Sequence, residues 1–213
     1  MVKVVIEHLE PWLSKWLWIE YAHASKLLEG RVEFTNVKKS SHRETLSVIG
    51  SSVKESALEL YPHEELIILD PRAEEPLKPE DLGSSTVLLI GGILGSHPPR
   101  GRTWKLLTSK APRARARNLG REQFTIDGSA YLALKVAQGF KLNELPIRRG
   151  LVVKAPPVTI YLPYAYPLDN GKPVVSRQLL KYLKHEIVED EEKLLREGKT
   201  REVVKAKEEV SES

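Results

Sequence analysis

The sequence predicts an α/β fold: a parallel sheet flanked by helices, in one domain. Apolar runs such as Leu66–Leu69 and Val87–Ile90 are continuous rather than alternating, which marks strands buried on both faces. Stretches with helical spacing of apolar residues separate these runs, the pattern of strands joined by crossovers. The chain has 213 residues, 41% hydrophobic and 29% charged, which suits one sizeable core and no second one.

Taken in order, Lys3–Glu7 is β-rich and opens the sheet. Pro11–Leu28 follows as a helix, with Trp12, Leu13, Trp16, Leu17, Ile19, Ala24, Leu27 and Leu28 at helical spacing and Gly30 as its stop. Arg31–Val37 resumes a strand pattern, and Ser51–Leu60 reads as a helix capped by Ser51 or Ser52 with Glu55 placed for a capping box. Leu66–Leu69 and Val87–Ile90 are buried strands, Thr103–Ser109 is a short helix, and Ala114–Leu119 is a strand in spite of Arg115 and Arg117. Thr125–Gly139 is a helix with Thr125 or Asp127 as cap and Gly139 at its end. The Pro-rich, aromatic segment Leu145–Tyr166 has no helical period and is expected to be irregular or edge-strand structure. Val174–Val188 is a helix with Ser176 near its start. This gives a domain over 1–188 and a charged, helix-prone tail over 189–213, with no internal repeat.

Composition excludes several classes of function. Without cysteine there are no disulfides, thiolate nucleophiles or Cys-based zinc sites. No run approaches the ~18 apolar residues of a membrane span, and the first residues lack the apolar core and cleavage site of a signal peptide. A cytoplasmic protein is therefore expected. One Met and few Asn or Gln fit the depletion of labile side chains in hyperthermophile proteins. Net charge is +4, but Arg100 to Arg121 carries eight bases and no acid, while Glu186 to Ser213 carries ten acids against six bases. The basic stretch is the footprint of a phosphate-bearing or acidic partner, or else a solvated face.

Three segments lie just beyond the carboxyl ends of strands, where open α/β sheets bind ligands. They are Leu69–Ala73, Gly91–Arg100 and Asn118–Thr125. Gly91, Gly92, Gly95 and Gly120 admit close backbone approach to a ligand, although paired glycines also serve as plain turns. Neither GxGxxG, nor a Walker loop, nor a GxSxG elbow is present. His97 is placed to hydrogen-bond within its loop, but the six histidines show no metal-ligand spacing, so no metal is expected. Trp12, Trp16 and Trp18 with Tyr21 fit core or subunit packing better than a base-stacking platform.

Ile6-Glu-His8 with Glu10, then Leu69–Asp81, Gly91–Thr103 and Leu119–Asp127 together closely resemble a SPOUT-class methyltransferase family usually labelled SAM-dependent RNA methyltransferase. Its fungal members include the enzyme that methylates an arginine of a small-subunit ribosomal protein. The resemblance continues through Leu162-Pro-Tyr164, Gly171-Lys-Pro-Val174 and Leu179–Leu183, and covers roughly 2–185. It implies a SPOUT fold, a parallel sheet flanked by helices with a C-terminal deep trefoil knot, a feature otherwise nearly absent from proteins. It implies S-adenosyl-L-methionine as cofactor, bound among the three loops. Leu69, Asp70 and Pro71 would line one wall; Ile90, Gly91, Gly92, Gly95 and His97 would supply the second loop; and Leu119, Gly120, Gln123, Phe124 and Thr125 would close over the ligand.

For the acceptor, an arginine calls for carboxylates, and Glu7, Glu10, Glu122 and Asp127 are the candidates. Glu7 and Glu10 also fit as surface charges at a strand end, and Asp127 as a helix cap. An RNA acceptor would instead use Arg100, Arg102, Arg113, Arg115 and Arg117 on phosphates. Arg121 stands where bacterial tRNA guanine methyltransferases of the class have an aspartate, which removes that base and leaves Arg121 to hold substrate or the cofactor carboxylate. The resulting expectation is a methyltransferase of the translation machinery, its acceptor a ribosomal-protein arginine ahead of rRNA or tRNA. The competing class is a non-catalytic knotted RNA- or ribosome-binding protein. The sequence does not choose between homodimer and monomer.

Overall fold

The computed structural model describes residues 2–156, 158–198 and 202–203. Strands β1 (Lys3–His8), β2 (Val32–Thr35), β3 (Ser51–Ser52), β4 (Leu66–Leu69), β5 (Val87–Gly92) and β6 (Arg115–Arg117) form one sheet in the order β3-β2-β1-β5-β4-β6. Every pairing in it is parallel. The continuous apolar strands are explained by which way alternate residues point. Val4, Ile6, Ile67, Leu69, Leu88 and Ile90 enter the larger core, and Val5, Leu66, Ile68, Val87 and Leu89 enter a smaller one on the other face. Burying each such Ile or Leu contributes about 1.5–3 kcal/mol.

The larger core is covered by α1 (Lys15–Leu27), α5 (Ile126–Ala137) and α6 (Arg177–His185), through Leu17, Trp18, Tyr21, Ala130, Ala133, Val136 and Leu179 among others. The smaller one is covered by Ala57 of α3 (Ala57–Leu60) and by Leu107 and Ala111, which follow α4 (Arg102–Leu106). Helix α1 starts at Ser14, whose hydroxyl accepts from Leu17 N, and α5 starts at Thr125, whose hydroxyl accepts from Gly128 N. Ser176 caps α6 in the same way.

Four segments differ from the sequence reading. The helix expected over Ser51–Leu60 is a short strand followed by a four-residue helix. Ser51 and Ser52 pair with Glu33 and Phe34 of β2, so the cap moves to Ser56, with Glu59 completing the capping box. Helix α2 (Ser40–Leu46) has no apolar period to announce it, burying only His42, Thr45 and Leu46. Within Leu145–Tyr166 the chain is a long hairpin, with β7 (Ile147–Ala155) antiparallel to β8 (Val158–Asp169), extended by β9 (Lys172–Pro173). Pro163 falls where the register shifts between Arg149 and Leu151, so its missing N–H interrupts no ladder. The helix expected over Val174–Val188 breaks at Glu186, and α7 (Ile187–Glu197) continues past 188 with Ile187 and Asp190 buried. Residues 199–201 and 204–213 of the expected tail lie outside the described residues.

His8 ends β1 inside the core, its Nδ1 3.1 Å from the Tyr21 hydroxyl. Burial, with the nearby His42 and Lys39, lowers its pKa from 6.5 to about 4. Between those values the folded protein binds fewer protons than the unfolded chain, so this group costs stability as pH falls through the window. The urea midpoint of a His8→Asn variant should therefore fall less steeply than wild type between pH 6.5 and 4. Equal slopes would exclude His8 as a source of acid sensitivity.

Candidate active site

At the carboxyl ends of β4, β5 and β6 the three segments converge on a cavity of about 580 Å³. This is within the usual size range of small-ligand sites. Leu69, Asp70 and Pro71 come from the end of β4; Ile90, Gly91, Leu94 and Gly95 from β5 and its loop; Leu119, Arg121, Gln123 and Phe124 from beyond β6. Ile126 and Ser129 of α5 and Thr103 and Lys105 of α4 complete the walls.

The loops are held by side chains that accept from their backbone. Asp70 accepts from Arg72 N at 2.9 Å and from the Thr108 hydroxyl at 2.6 Å. Glu10 Oε1 accepts both from Leu94 N, at 2.9 Å, and from Arg102 Nη1, at 2.8 Å. Asn118 Oδ1 accepts from Gly120 N at 2.9 Å, at a turn where Gly120 has φ +119°, a region that favours glycine. The β8 strand then ties two loops together. Tyr164 donates its hydroxyl to Gly95 O at 2.9 Å, and Ala165 N donates to Gln123 O at 2.9 Å.

The lining suits an S-adenosyl ligand. Leu69, Ile90, Leu119, Phe124 and Ile126 offer apolar surface for adenine, while Gly91 leaves the main chain open to it. Arg100, Arg102, Lys105, Arg121 and Arg72 supply positive charge for a carboxylate. Gly95 is a close-packed point: a Cβ there would overlap the Tyr164 ring and the Gln123 amide.

Several residues singled out by sequence lie elsewhere. Gly92 faces the core, where a Cβ would overlap the Tyr21 hydroxyl and the Glu7 carbonyl, and it does not line the cavity. His97, which precedes a cis proline, is exposed and outside the lining. Gly120 and Thr125 shape the third loop rather than wall it. Glu7 is 2% exposed, not a surface charge, and its carboxylate accepts from Thr35, Ser56 and Ala57 N. Asp127 is 1% exposed and is occupied by His23 Nδ1 at 2.7 Å, by Thr125 and by Gly128 N.

The basic stretch divides. Arg100, Arg102, Lys105 and Arg121 line the cavity; Arg113, Arg115 and Arg117 do not. Arg113 pairs with Glu64. Arg117 grips Asp81 with two bonds of 3.0 Å, and Arg115 lies 3.6 Å from the same carboxylate. Burial opposes ionisation of Asp81, but Arg117, Lys78 N and Arg115 outweigh it and hold its pKa low.

Sequence reading missed Glu20 and its partners. This buried acid of α1 accepts from Trp16 Nε1 at 2.6 Å and from Ile126 N at 3.0 Å, next to the cavity. Burial, and then the charge of Asp127, raises its pKa to about 8. Its only signal in the sequence is an acid on the apolar face of an amphipathic helix. His23 gave none, and Tyr164 stood only within a motif of the family resemblance, since their partners are distant in sequence.

With its three donors, Glu7 belongs to the framework. Glu7→Gln should lower stability by about 2–3 kcal/mol, since an amide nitrogen would face donors, and should leave the folded protein's affinity for S-adenosylhomocysteine unchanged. Calorimetric titration and thermal unfolding check both; a large loss of affinity at unchanged stability would place Glu7 in the site instead.

The sequence model of the family described as "Protein arginine N-methyltransferase SFM1-like" matches residues 3–190. Protein arginine N-methyltransferase SFM1 of Saccharomyces cerevisiae (strain ATCC 204508 / S288c) is 28% identical over 216 residues, covering 91% of this chain and 100% of that protein. The yeast arginine methyltransferase SFM1 complexed with SAH superposes with TM-score 0.75 at 25% identity, over 85% of this chain and 94% of that one. Its complex with SAM gives 0.76 at 24% identity, over 86% and 90%. A dual-specific Trm10 from Thermococcus kodakaraensis shares the fold, with TM-score 0.54 at 17% identity over 68% of this chain and 96% of that one. The chain belongs to the SFM1-like family of protein arginine N-methyltransferases, S-adenosylmethionine-dependent enzymes of the SPOUT class.

Proposed function

We propose that this protein methylates a guanidinium nitrogen of an arginine on a small-subunit ribosomal protein. The observation that carries this reading is the cavity at the carboxyl ends of β4, β5 and β6, in a chain matched to the family over 3–190. In this reading the apolar residues Leu69, Ile90, Leu119 and Phe124 hold the adenine, and Arg100 or Arg121 holds the cofactor carboxylate. When bound, S-adenosylmethionine supplies an electrophilic methyl group on a sulfonium sulfur.

The chain's own task is to orient the acceptor and take its proton, because a guanidinium has no free lone pair until one N–H is lost. Two carboxylates serve, one in the cavity wall and one in an adjoining groove. Glu122 lines the cavity and accepts from Arg149 Nε at 2.7 Å through Oε1. Glu10 uses Oε1 for Leu94 and Arg102, leaving Oε2 for the acceptor. Positioning of this kind supplies much of the rate in a transfer that needs in-line attack. Glu7 and Asp127 have no part in it, being committed to the framework.

The reading includes the deep trefoil knot over a catalytic domain of 1–188. Its support is the chain path: β6 lies at the sheet edge beside β4, yet the following α5 packs against α1 and β5. RNA is the second acceptor reading, favoured by the basic residues around the cavity.

Incubating the protein with tritiated S-adenosylmethionine and small ribosomal subunits should place label in material destroyed by protease and resistant to ribonuclease. Ribonuclease-sensitive label would establish the RNA reading, and tight cofactor binding without transfer would leave a binding protein. Gly95→Val should weaken cofactor binding at least tenfold by forcing apart Tyr164 and Gln123; unchanged affinity would remove Gly95 from the site.

A further inference from the structure

A second groove, of about 300 Å³, runs between the start of α1 and α7 and abuts the cofactor cavity, because Leu94 lines both. Its apolar wall includes Trp12 and Trp16, and its carboxylates are Glu10, Asp190 and Glu191. Among the described residues that line it there is no Lys or Arg. Lys15, near in sequence, is ion-paired to Glu186 at 3.1 Å. Two walls are fixed in place: the Trp16 indole by its bond to Glu20, and Asp190 by the Tyr182 hydroxyl at 2.8 Å. Glu10 links the two sites, bordering the groove while its Oε1 holds Leu94 N and Arg102 of the cavity.

The sign of the charge therefore reverses across Leu94, from the basic cavity to an acidic, aromatic groove. Phosphate is repelled there, whereas a cation on an apolar arm finds both a tryptophan surface and carboxylates. We propose that this groove binds an arginine or lysine side chain of the acceptor polypeptide, adjacent in sequence to the arginine that is methylated. The inference rests on the protein-arginine reading above and deepens it: the groove selects a basic polypeptide over RNA and requires a second cation beside the acceptor.

The test uses the full chain with Glu191→Lys, Glu191→Gln and Trp12→Ala. Each is assayed for anisotropy of a fluorescein-labelled hexa-arginine peptide, for methylation of small-subunit proteins, and for S-adenosylhomocysteine affinity. Glu191→Lys should weaken peptide binding and raise the acceptor KM about tenfold at low salt, an effect that shrinks as salt screens it. Glu191→Gln should have a smaller effect, and Trp12→Ala should cost about fivefold with little salt dependence. In all three, kcat and cofactor affinity should stay at the wild-type value. Unchanged peptide affinity and acceptor KM in variants that still bind cofactor overturn the groove and leave the methyltransferase reading standing. If the wild-type protein methylates only RNA, the protein-arginine reading fails, and the anisotropy arm, which needs no turnover, still decides the groove.

Discussion

Irregular backbone beyond the strand ends has amide groups that no sheet or helix satisfies, and each one left buried and unpaired costs about 1–3 kcal/mol. Around this sheet, acidic side chains take up that role. Glu7 accepts from Ala57 N, Glu10 from Leu94 N, Glu20 from Ile126 N, Asp70 from Arg72 N and Asp127 from Gly128 N. Arg72, Leu94 and Ile126 line the cavity, Gly128 N lies in the first turn of α5, and Ala57 N starts α3 over the smaller core. The cavity keeps its shape because these carboxylates fix the loops before any ligand arrives.

The same arrangement explains why so few of the acids are available for chemistry. A carboxylate that is buried and already accepts two or three bonds, such as Glu7 or Asp127, has no capacity for an acceptor arginine. Glu122 lines the cavity and engages Arg149 through Oε1, while Glu10, which lines the neighbouring groove, engages Leu94 and Arg102 through Oε1. The bases are sorted in a parallel way. Arg115 and Arg117 are neutralised by Asp81 at the sheet edge, and Arg100 and Arg121 are left at the cavity. Charge along the sequence is therefore a poor guide to charge at the site.

The hairpin of β7 and β8 gives the loops a second support. Tyr164 and Ala165 reach across to Gly95 and Gln123, so the closing region of the chain bears on both the second and third loops. Farther round, Val203 N donates to Leu13 O and Glu202 pairs with Lys39, which fastens the described end of the chain beside the start of α1. Chain segments far apart in sequence thus converge on the flanks of one site.

The parallel sheet, its buried strands and the helices with strong periods and caps were legible in the order of residues, because these depend on local spacing and on which residues avoid water. The three loops were legible too, since Gly and Pro clusters just past apolar strands are a local signal. Leu69–Pro71, Gly91, Leu119, Gln123 and Phe124 fall in those segments and line the cavity. Which side of a loop each residue faces emerged only on folding: Gly92 and Gly91 are neighbours, yet one meets Tyr21 and the other the cavity. Folding likewise settled the partners of Glu7, Glu20 and Asp127, the split of the basic stretch, and the register of the β7–β8 hairpin. Each of these rests on contacts between residues distant in the chain, and the free energy of a buried charge or an unpaired amide depends on what folding brings beside it.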